Sequence, residues 1–231
     1  ALDTAPTDGS KVTLYVGNDN YKLGVLEAQQ ALKLLPKNPS GDVVIGVPNP
    51  GTPVLDSRAK GISDTFKKMA PNVKILGPYQ TYSDPAQNYG AWQAQVNAHP
   101  TALAFLGVGD ADSYDLAKIK QQKHGKYVVA GTDVDAKTLE DVKDGSLPFT
   151  IDPEHFLKGY IAMQLLIDHK RGAKQPEGWL ETPGMVVDSS NIDKVLAREK
   201  SQTAAYDFYK PQITSILGNV DAHMHPLKDA R

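Results

Sequence analysis

The sequence predicts an α/β protein in which a parallel β-sheet is flanked by helices. Two observations favour this fold class: short apolar runs rich in β-branched residues recur along the chain, and amphipathic stretches of helical length separate them. Strands that are apolar throughout are typical of parallel sheets covered on both faces, and strand–helix alternation is typical of βαβ units. We therefore expect parallel strands joined by right-handed crossovers.

The apolar runs are predicted strands because they are short and carry turn residues at their ends. A further run over residues 184–189 is a candidate for the last strand. The other predicted strands are residues 12–17, 42–48, 73–79, 102–107, 127–133 and 148–152.

Helices are predicted where apolar residues recur at helical spacing. Residues 156–169 form the most apolar of these segments, and residues 193–210 form a weaker one. We expect residues 218–231 to form an exposed tail. The remaining predicted helices are residues 23–35, residues 54–69, a segment around Leu116 and Ile119, and a shorter one around Leu139 and Val142.

Capping residues mark where several helices begin. Thr52-Pro53 and Asp152-Pro153 each combine a cap with a proline that suits the first helical position. Asp135 is the expected cap of the helix that follows it, and Asp110 or Asp112 is the expected cap of the preceding helix.

Composition is that of an ordinary globular protein and excludes several functions. The 231 residues are 40% hydrophobic and 23% charged, and 25 basic against 27 acidic residues give a net charge of -2. This near balance argues against a nucleic-acid surface, which needs a basic stripe. No apolar run reaches the length of a membrane span. The absence of cysteine excludes disulfides, thiolate metal sites and cysteine catalysis.

Two glycine-containing turns resemble nucleotide-binding loops only superficially. The turn at residues 46–52 lacks the lysine of a phosphate-binding loop, and its prolines remove amide donors. The segment Gly107-Val108-Gly109-Asp110 has Asp112 where the dinucleotide motif needs its third glycine, and it follows the fourth predicted strand rather than the first. Neither turn indicates phosphate binding.

Two charged residues have both a structural and a functional interpretation. Arg58 is either a surface arginine in the second helical turn or a bidentate donor to a polar ligand. Asp133 is either a turn residue or a carboxylate that accepts hydrogen bonds from sugar hydroxyls. Ligands bind beyond the carboxyl ends of parallel strands, so we expect Arg58, Asp110, Asp133 and Asp152 near one rim of the sheet.

Other chemistry-bearing residues are less specific. Asp110, Asp112 and Asp115 are either first-turn acids of a helix or part of a metal site, although the glycine and glutamate of a calcium loop are missing. The pair in His223-Met224-His225 lies in the predicted tail without a third ligand. Tyr82, near the end of the third strand, is a candidate for stacking on a sugar face.

Several motifs follow one another in a characteristic order along the chain. They are YVGNDNYKLG, PGTPVLDSRAKG, NAHP-TALAFLGVGD, VVAGTDVD and VKDGSLPFTID with FLKGY. This order is similar to that of the ribose/galactose-type periplasmic sugar-binding proteins, the receptors of bacterial ABC sugar importers. The resemblance runs from about Leu2 to Asp193. It implies the type I periplasmic-binding-protein fold, in which two Rossmann-like lobes joined by a hinge close over a sugar.

The resemblance also implies that the chain lacks most of the first lobe. Residues 1–19 are expected to be the end of that lobe and the hinge, and residues 20–131 the ligand-binding second lobe. Residues 132–149 would end the second lobe at the hinge, and residues 150–183 would return to the first. Residues 184–231 would add the last strand, the C-terminal helix and the tail. The missing lobe or a second copy of the chain is then an expected partner.

The resemblance assigns ligand contacts residue by residue. Arg58 matches the arginine that contacts the sugar, and Asp133 matches the aspartate that binds its hydroxyl groups. Asp3 matches an aspartate before the hinge that often binds ligand. Asn20 closes the Asp-Asn motif at the first crossing between lobes.

Three departures from the ribose receptors argue against ribose as the ligand. Thr4 replaces their arginine, Gly109 replaces an asparagine and Pro153 replaces a glutamine. Asp110 and Asp152, next to two of these positions, become candidate contacts instead. Additional acid at the rim would suit another sugar or a polyol.

The leading hypothesis is a periplasmic or otherwise extracytoplasmic solute-binding component of an ABC importer. It would bind a sugar or polyol in a cleft between lobes, without catalysis, cofactor or metal, and present it to the membrane permease. No nucleic acid is expected as a partner. The alternatives are the effector-binding domain of a LacI-type repressor, which shares the pair of lobes, and a metal-dependent α/β enzyme that uses the carboxylates of GDADSYD.

Overall fold

The computed structural model describes residues 1–7 and 9–230, and they divide into two compact units. The first unit consists of Ala1–Asp19, Pro153–Gly184 and Lys194–Arg231. The second unit consists of Asn20–Asp152 and Met185–Asp193.

Strands and helices alternate through most of the chain. None of the helices within residues 1–7 and 9–230 is both long and apolar enough to cross a lipid bilayer. The strands are β1 (Leu14–Gly17), β2 (Gly41–Val47), β3 (Val73–Gln80), β4 (Ala104–Gly107), β5 (Val128–Ala130), β6 (Phe149–Asp152), β7 (Gly178–Glu181), β8 (Met185–Asp188) and β9 (Met224–His225). The helices are α1 (Asn20–Leu34), α2 (Pro53–Met69), α3 (Pro85–Ala98), α4 (Asp110–Lys123), α5 (Ala136–Asp144), α6 (His155–Lys170), α7 (Ile192–Arg198) and α8 (Gln202–Gly218).

The second unit is built on a parallel sheet with the order β3-β2-β4-β5. A parallel bridge from Thr132 to Ile151 adds β6 beyond β5, and β6 also pairs antiparallel with β8. Strand β4 is buried throughout, and β2 is buried from Val43 to its end. The predicted α/β fold with a parallel sheet and flanking helices is therefore confirmed.

Glycine allows α1 and α2 to approach each other closely. A Cβ atom on Gly24 would lie 1.9 Å from the carbonyl oxygen of Arg58, and one on Gly61 would lie 2.2 Å from the carbonyl oxygen of Tyr21. No other residue fits at these two positions without a shift of the backbone. The contact fixes the backbone of Arg58 against α1, the helix that begins with Asn20.

The first unit contains a small sheet with the order β1-β7-β9. Strands β1 and β7 are parallel, β9 is antiparallel to β7, and Leu2 forms a parallel bridge with Val16 of β1. Helices α6 and α8 pack on this sheet through a buried cluster that includes Leu157, Ile161 and Tyr209.

Some elements differ from the sequence-based expectation. Helix α3 was not among the predicted helices, because its apolar residues form no stripe and most of its residues are small or polar. The segment over residues 193–210 is two helices, and Ser201 begins the second by accepting a hydrogen bond from Ala204 N at 3.1 Å. The predicted tail contains β9, which pairs with Trp179 and Leu180 of β7.

Two predicted helix starts are confirmed. Thr52 is the N-cap of α2, and Pro53 occupies its first position, although the threonine side chain forms no capping hydrogen bond. Asp135 caps α5, where its carboxylate accepts a hydrogen bond from Thr138 N at 2.7 Å.

Two other predicted starts are wrong. Gly109, not an aspartate, is the N-cap of α4, and Asp112 reaches back from the first turn to its N–H. Helix α6 begins at His155, two residues after Pro153, because Glu154 adopts the left-handed conformation and ends the preceding extended segment.

Candidate functional site

The carboxyl ends of the second unit's strands carry most of the predicted ligand contacts. Because these strands run parallel, the segments that follow them lie along one edge of the sheet. Tyr82 follows β3, Arg58 lies on α2 after β2, Asp110 begins α4 after β4, Asp133 follows β5, and Asp152 ends β6.

Arg58 is a buried arginine that two neutral acceptors hold in place. It is 4% exposed, its Nε donates to Asn20 Oδ1 at 3.0 Å, and its Nη1 donates to the carbonyl oxygen of Val108 at 3.1 Å. The interpretation as a surface arginine is therefore wrong. Nη2 forms no hydrogen bond with any residue that the structure describes, so its N–H groups remain available to a ligand.

Asn20 lies beneath the surface beside Arg58. The residue is 2% exposed, and its Oδ1 accepts the hydrogen bond from Arg58 Nε. As the first residue of α1, Asn20 thus connects this helix to the guanidinium. The contact orients Arg58.

A buried carboxyl group interacts electrostatically with Arg58. Glu27 of α1 is 1% exposed, and its Oε1 has no hydrogen-bond partner within residues 1–7 and 9–230. Burial raises the pKa of Glu27 well above its ordinary value, the negative charge of Asp112 raises it further, and Arg58 lowers it. Burial therefore favours the neutral form of Glu27 more than that of an exposed glutamate.

Asp133 is held in an unusual backbone conformation. Its φ of 79° lies in the left-handed region, which aspartate tolerates better than most residues. The N–H of Asp133 donates to the carbonyl oxygen of Ile151 at 2.8 Å. The carbonyl oxygen of Asp133 accepts a hydrogen bond from Thr150 Oγ1 at 2.9 Å. These contacts from β6 fix the half-buried Asp133 at the end of β5.

Tyr82 is an exposed aromatic residue with a strained backbone. Its φ is 66°, a region in which a bulky side chain costs on the order of 1–2 kcal/mol, and it is 39% exposed. Its N–H donates to Pro48 O at 3.1 Å, and its carbonyl oxygen accepts from Asn88 Nδ2 at 2.9 Å. These two hydrogen bonds therefore hold the backbone of Tyr82 in the left-handed conformation.

The acidic segment at the start of α4 divides into exposed and structural residues. Asp110 is exposed, whereas Asp112 is fully buried. Asp112 accepts hydrogen bonds from Asn88 Nδ2 at 2.7 Å, Trp92 Nε1 at 2.8 Å and Gly109 N at 2.9 Å. Burial raises the pKa of Asp112, and these hydrogen bonds oppose the rise. Asp112 thus stabilises the interior.

At position 109, between β4 and α4, glycine fits because it has no Cβ atom. A Cβ atom at this position would lie 2.3 Å from Pro48 Cγ. The asparagine that ribose receptors have at this place would require Pro48 to shift. Asp110, one residue later, is the first polar side chain after β4 that reaches the surface.

Neither the acidic candidates nor the histidine pair of the C-terminal segment is in a metal-binding arrangement. Asp152 is 1% exposed at the end of β6. Among residues 1–7 and 9–230, no group of three or more histidine, aspartate or glutamate side chains has the geometry to hold a metal ion. His225 Nε2 instead lies 3.2 Å from Glu181 Oε2 within the small sheet of the first unit. The metal-dependent alternative therefore gains no support.

Asp3, the predicted contact in the first unit, lies beside a lysine that the sequence did not single out. Its backbone is left-handed, with φ of 64°, and its carboxylate forms an ion pair with Lys158 Nζ. Lys158 is 1% exposed and also donates to Asn18 Oδ1 at 2.8 Å. The available signal was the isolated lysine in the otherwise apolar start of α6, FLKGYIAM.

Comparison with known families shows which family the chain belongs to. Residues 1–174 match the family described as periplasmic binding protein domain. The chain belongs to this family. The match confirms the family predicted from the order of the sequence motifs.

Individual relatives are similar over part of their length. The chain is 23% identical over 154 residues to the xylose/arabinose-binding protein XylF of Sulfolobus acidocaldarius, which covers 64% of this chain and 37% of XylF. It is 25% identical, with a TM-score of 0.75, to an ABC transporter solute-binding protein of Burkholderia graminis in complex with D-arabinose, over 83% of this chain and 66% of that one.

A second solved structure has the same fold. The solute-binding protein of Agrobacterium vitis with bound D-fucose is 22% identical to this chain, with a TM-score of 0.76, over 85% of this chain and 68% of that one. The chain thus spans little more than a third of XylF and about two thirds of these solved structures.

Proposed function

We propose that this chain forms part of the ligand site of an extracytoplasmic sugar- or polyol-binding receptor that serves an ABC importer. The observation that carries the proposal is the environment of Arg58. A buried guanidinium, oriented by Asn20 and Val108, lies at the same sheet edge as Asp133 and Asp152.

This combination of groups complements hydroxyl groups. A sugar hydroxyl donates one hydrogen bond and accepts others, so it pairs with a carboxylate on one side and a guanidinium on the other. Hydrogen bonds that involve an ionised group are about twice as strong as neutral ones. Arg58 supplies the donors, Asp133, Asp110 and Asp152 are the acceptors, and the ring of Tyr82 offers an apolar face for the sugar ring.

The ligands of related proteins support a neutral monosaccharide. XylF is described as binding xylose and arabinose, and the solved relatives contain D-arabinose, D-fucose and, in a protein of Actinobacillus succinogenes, D-allose. These ligands are all aldoses, and they differ in the configuration of their hydroxyl groups and in whether they carry a sixth carbon and a hydroxyl group on it. We propose an aldose or a related polyol as the ligand of this chain, with Asp3 as a further contact.

The receptor would act by binding rather than by catalysis. A ligand that binds one conformation more tightly than another shifts the population toward the first. In this proposal the sugar favours a closed form of the complete receptor, and the permease recognises that form. The chain spans only part of its relatives, so other parts of the site lie outside the residues considered above.

Calorimetric titration with a panel of pentoses, hexoses and polyols tests the proposal. It should be carried out with this chain and with the longest protein in which its sequence occurs. We expect low-micromolar or tighter binding of at least one sugar or polyol to the complete receptor, and weaker or undetectable binding to this chain alone. Absence of binding to every compound by the complete receptor would contradict the proposal.

A further inference from the structure

We propose that Lys158 is a positioning residue, whose buried ammonium orients the carboxylate of Asp3 toward a hydroxyl group of the ligand. The inference rests on the proposed function, because it assigns Lys158 a role in binding the proposed ligand. The ammonium of Lys158 already pairs with Asp3 and donates to Asn18 Oδ1, and its side chain is 1% exposed, while that of Asp3 is 42% exposed.

A fully buried lysine needs a specific reason. Lysine is almost never fully buried without a partner, because removing its charge from water costs several kcal/mol or more. Helix α6 places Lys158 between Leu157 and Ile161 in sequence, and both of these are buried in the apolar cluster of the first unit. The ammonium reaches out of this cluster to Asp3 and Asn18.

Asn18 holds the ammonium from the other side. Its Nδ2 donates to the carbonyl oxygens of Thr182, at 3.0 Å, and Pro183, at 2.5 Å. These two carbonyl groups hold the NH2 side of the amide and so fix its orientation. Its Oδ1 points the other way and accepts a hydrogen bond from Lys158 Nζ at 2.8 Å. The position of the ammonium is therefore set by the chain segment after β7 as well as by α6.

Asp3 is fixed through its backbone as well as its side chain. Its N–H donates to Val16 O at 2.9 Å, and its carbonyl oxygen accepts from the hydroxyl of Tyr15 at 3.0 Å. Tyr15 is fully buried and stacks on Trp179, with ring centroids 6.3 Å apart. With its left-handed φ and its ion pair, Asp3 presents its carboxylate in one direction.

Stability alone does not account for this ion pair. Replacing a buried ion pair with apolar residues of similar size is often neutral or stabilising. A methionine at position 158 would fill nearly the same volume in an otherwise apolar part of α6. The arrangement is explained if the ammonium is needed to orient a functional carboxylate.

A double-mutant cycle on the complete receptor tests this inference. The variants are Lys158→Met, Asp3→Asn and the double variant, with Lys170→Met as a control for an exposed lysine on the same helix. The affinity for the tightest-binding sugar is measured by calorimetry. Each single variant should weaken binding about tenfold, and the double variant should be no weaker than Asp3→Asn, because Lys158 acts through Asp3.

Deoxy analogues of the same sugar separate positioning from a structural role. For the analogue that lacks the hydroxyl bound by Asp3, the wild type, Lys158→Met and Asp3→Asn should bind with equal affinity. Lys158→Arg should retain more of the affinity for the parent sugar than Lys158→Met. If Lys158→Met does not fold, Lys158→Arg and Asp3→Asn still give the comparison across analogues.

The possible results distinguish the two proposals. Additive losses, or equal losses for every deoxy analogue, would overturn the positioning role and leave the sugar site intact. An unchanged affinity in Lys158→Met with a lower melting temperature would mean that Lys158 is structural. If the complete wild-type receptor binds no sugar or polyol, the proposed function fails, and the role of Lys158 fails with it.

Discussion

Arg58 in the second unit and Lys158 in the first unit are both buried cations, and the protein holds them in opposite ways. The partners of Arg58 are an amide oxygen and a backbone carbonyl, at 3.0 and 3.1 Å. Lys158 pairs with a carboxylate, that of Asp3, and with the amide oxygen of Asn18. The charge of Arg58 is thus left uncompensated by these contacts, whereas the charge of Lys158 is neutralised within the protein.

This difference shows how one type of charge can serve two purposes. A guanidinium held by neutral acceptors is oriented and still carries its full charge to a ligand. An ammonium paired with a carboxylate contributes little charge of its own, and it determines where the carboxylate points. We therefore expect Arg58 to act on a ligand directly and Lys158 to act only through Asp3.

The largest expected effect comes from Asp112, the carboxylate that neutral donors hold inside the second unit. Asp112→Ala leaves the N–H groups of Asn88, Trp92 and Gly109 buried without their acceptor. We expect a loss of about 3–5 kcal/mol in the free energy of unfolding, measured by urea denaturation. Asp112→Asn keeps an acceptor oxygen and should lose less than half of this.

A small loss in Asp112→Ala would weaken the comparison between the units. If the variant destabilises the protein by less than about 1 kcal/mol, the hydrogen bonds that neutral donors make to Asp112 are not a major source of stability.

A smaller effect concerns the pH dependence of the second unit. Asp115 on α4 is 6% exposed, and burial raises its pKa from its ordinary value of 3.8 to about 6. Between these values Asp115 is protonated more fully in the folded protein than in the unfolded chain, so its contribution to stability falls as the pH rises from about 4 to about 6. After allowance for solvent screening, we expect Asp115 to account for about 1–2 kcal/mol of this fall.

Urea denaturation at pH 4.5 and 6.5 measures this dependence. Asp115→Asn should remove the part of the fall that Asp115 causes, and Glu140→Gln, at an exposed carboxyl on α5, should leave the fall unchanged. An identical pH dependence in wild type and Asp115→Asn would mean that the raised pKa of Asp115 does not contribute to stability.

Much of the fold could be predicted from the sequence because local patterns determine it. Strand β4 is apolar throughout, β2 is apolar after Asp42, and helix α6 carries a long apolar run, so composition alone located them. Helix α3 has no apolar stripe, and its role depends on Asn88 and Trp92 reaching Asp112 on α4. Such a dependence on distant partners leaves no local pattern.

The candidate site was predictable in part for the same reason. The strand ends that carry Asp133 and Asp152 follow from the parallel topology. The burial of Arg58 depends on the close contact with Gly24, which spacing within α2 does not reveal. Lys158 and Asp3 are 155 residues apart in sequence, so only the folded chain brings them together.

The affinity of the complete receptor for its tightest-binding sugar, before and after Arg58→Met, tests the central claim most directly. Lys68→Met is the matched control, because Lys68 is an exposed cation on the same helix. Loss of the charge-assisted hydrogen bonds should weaken binding about 10- to 100-fold, while the control keeps its affinity. Equal affinities of wild type and Arg58→Met, measured by calorimetry on folded protein, would contradict the assignment of Arg58 as the main donor to the ligand.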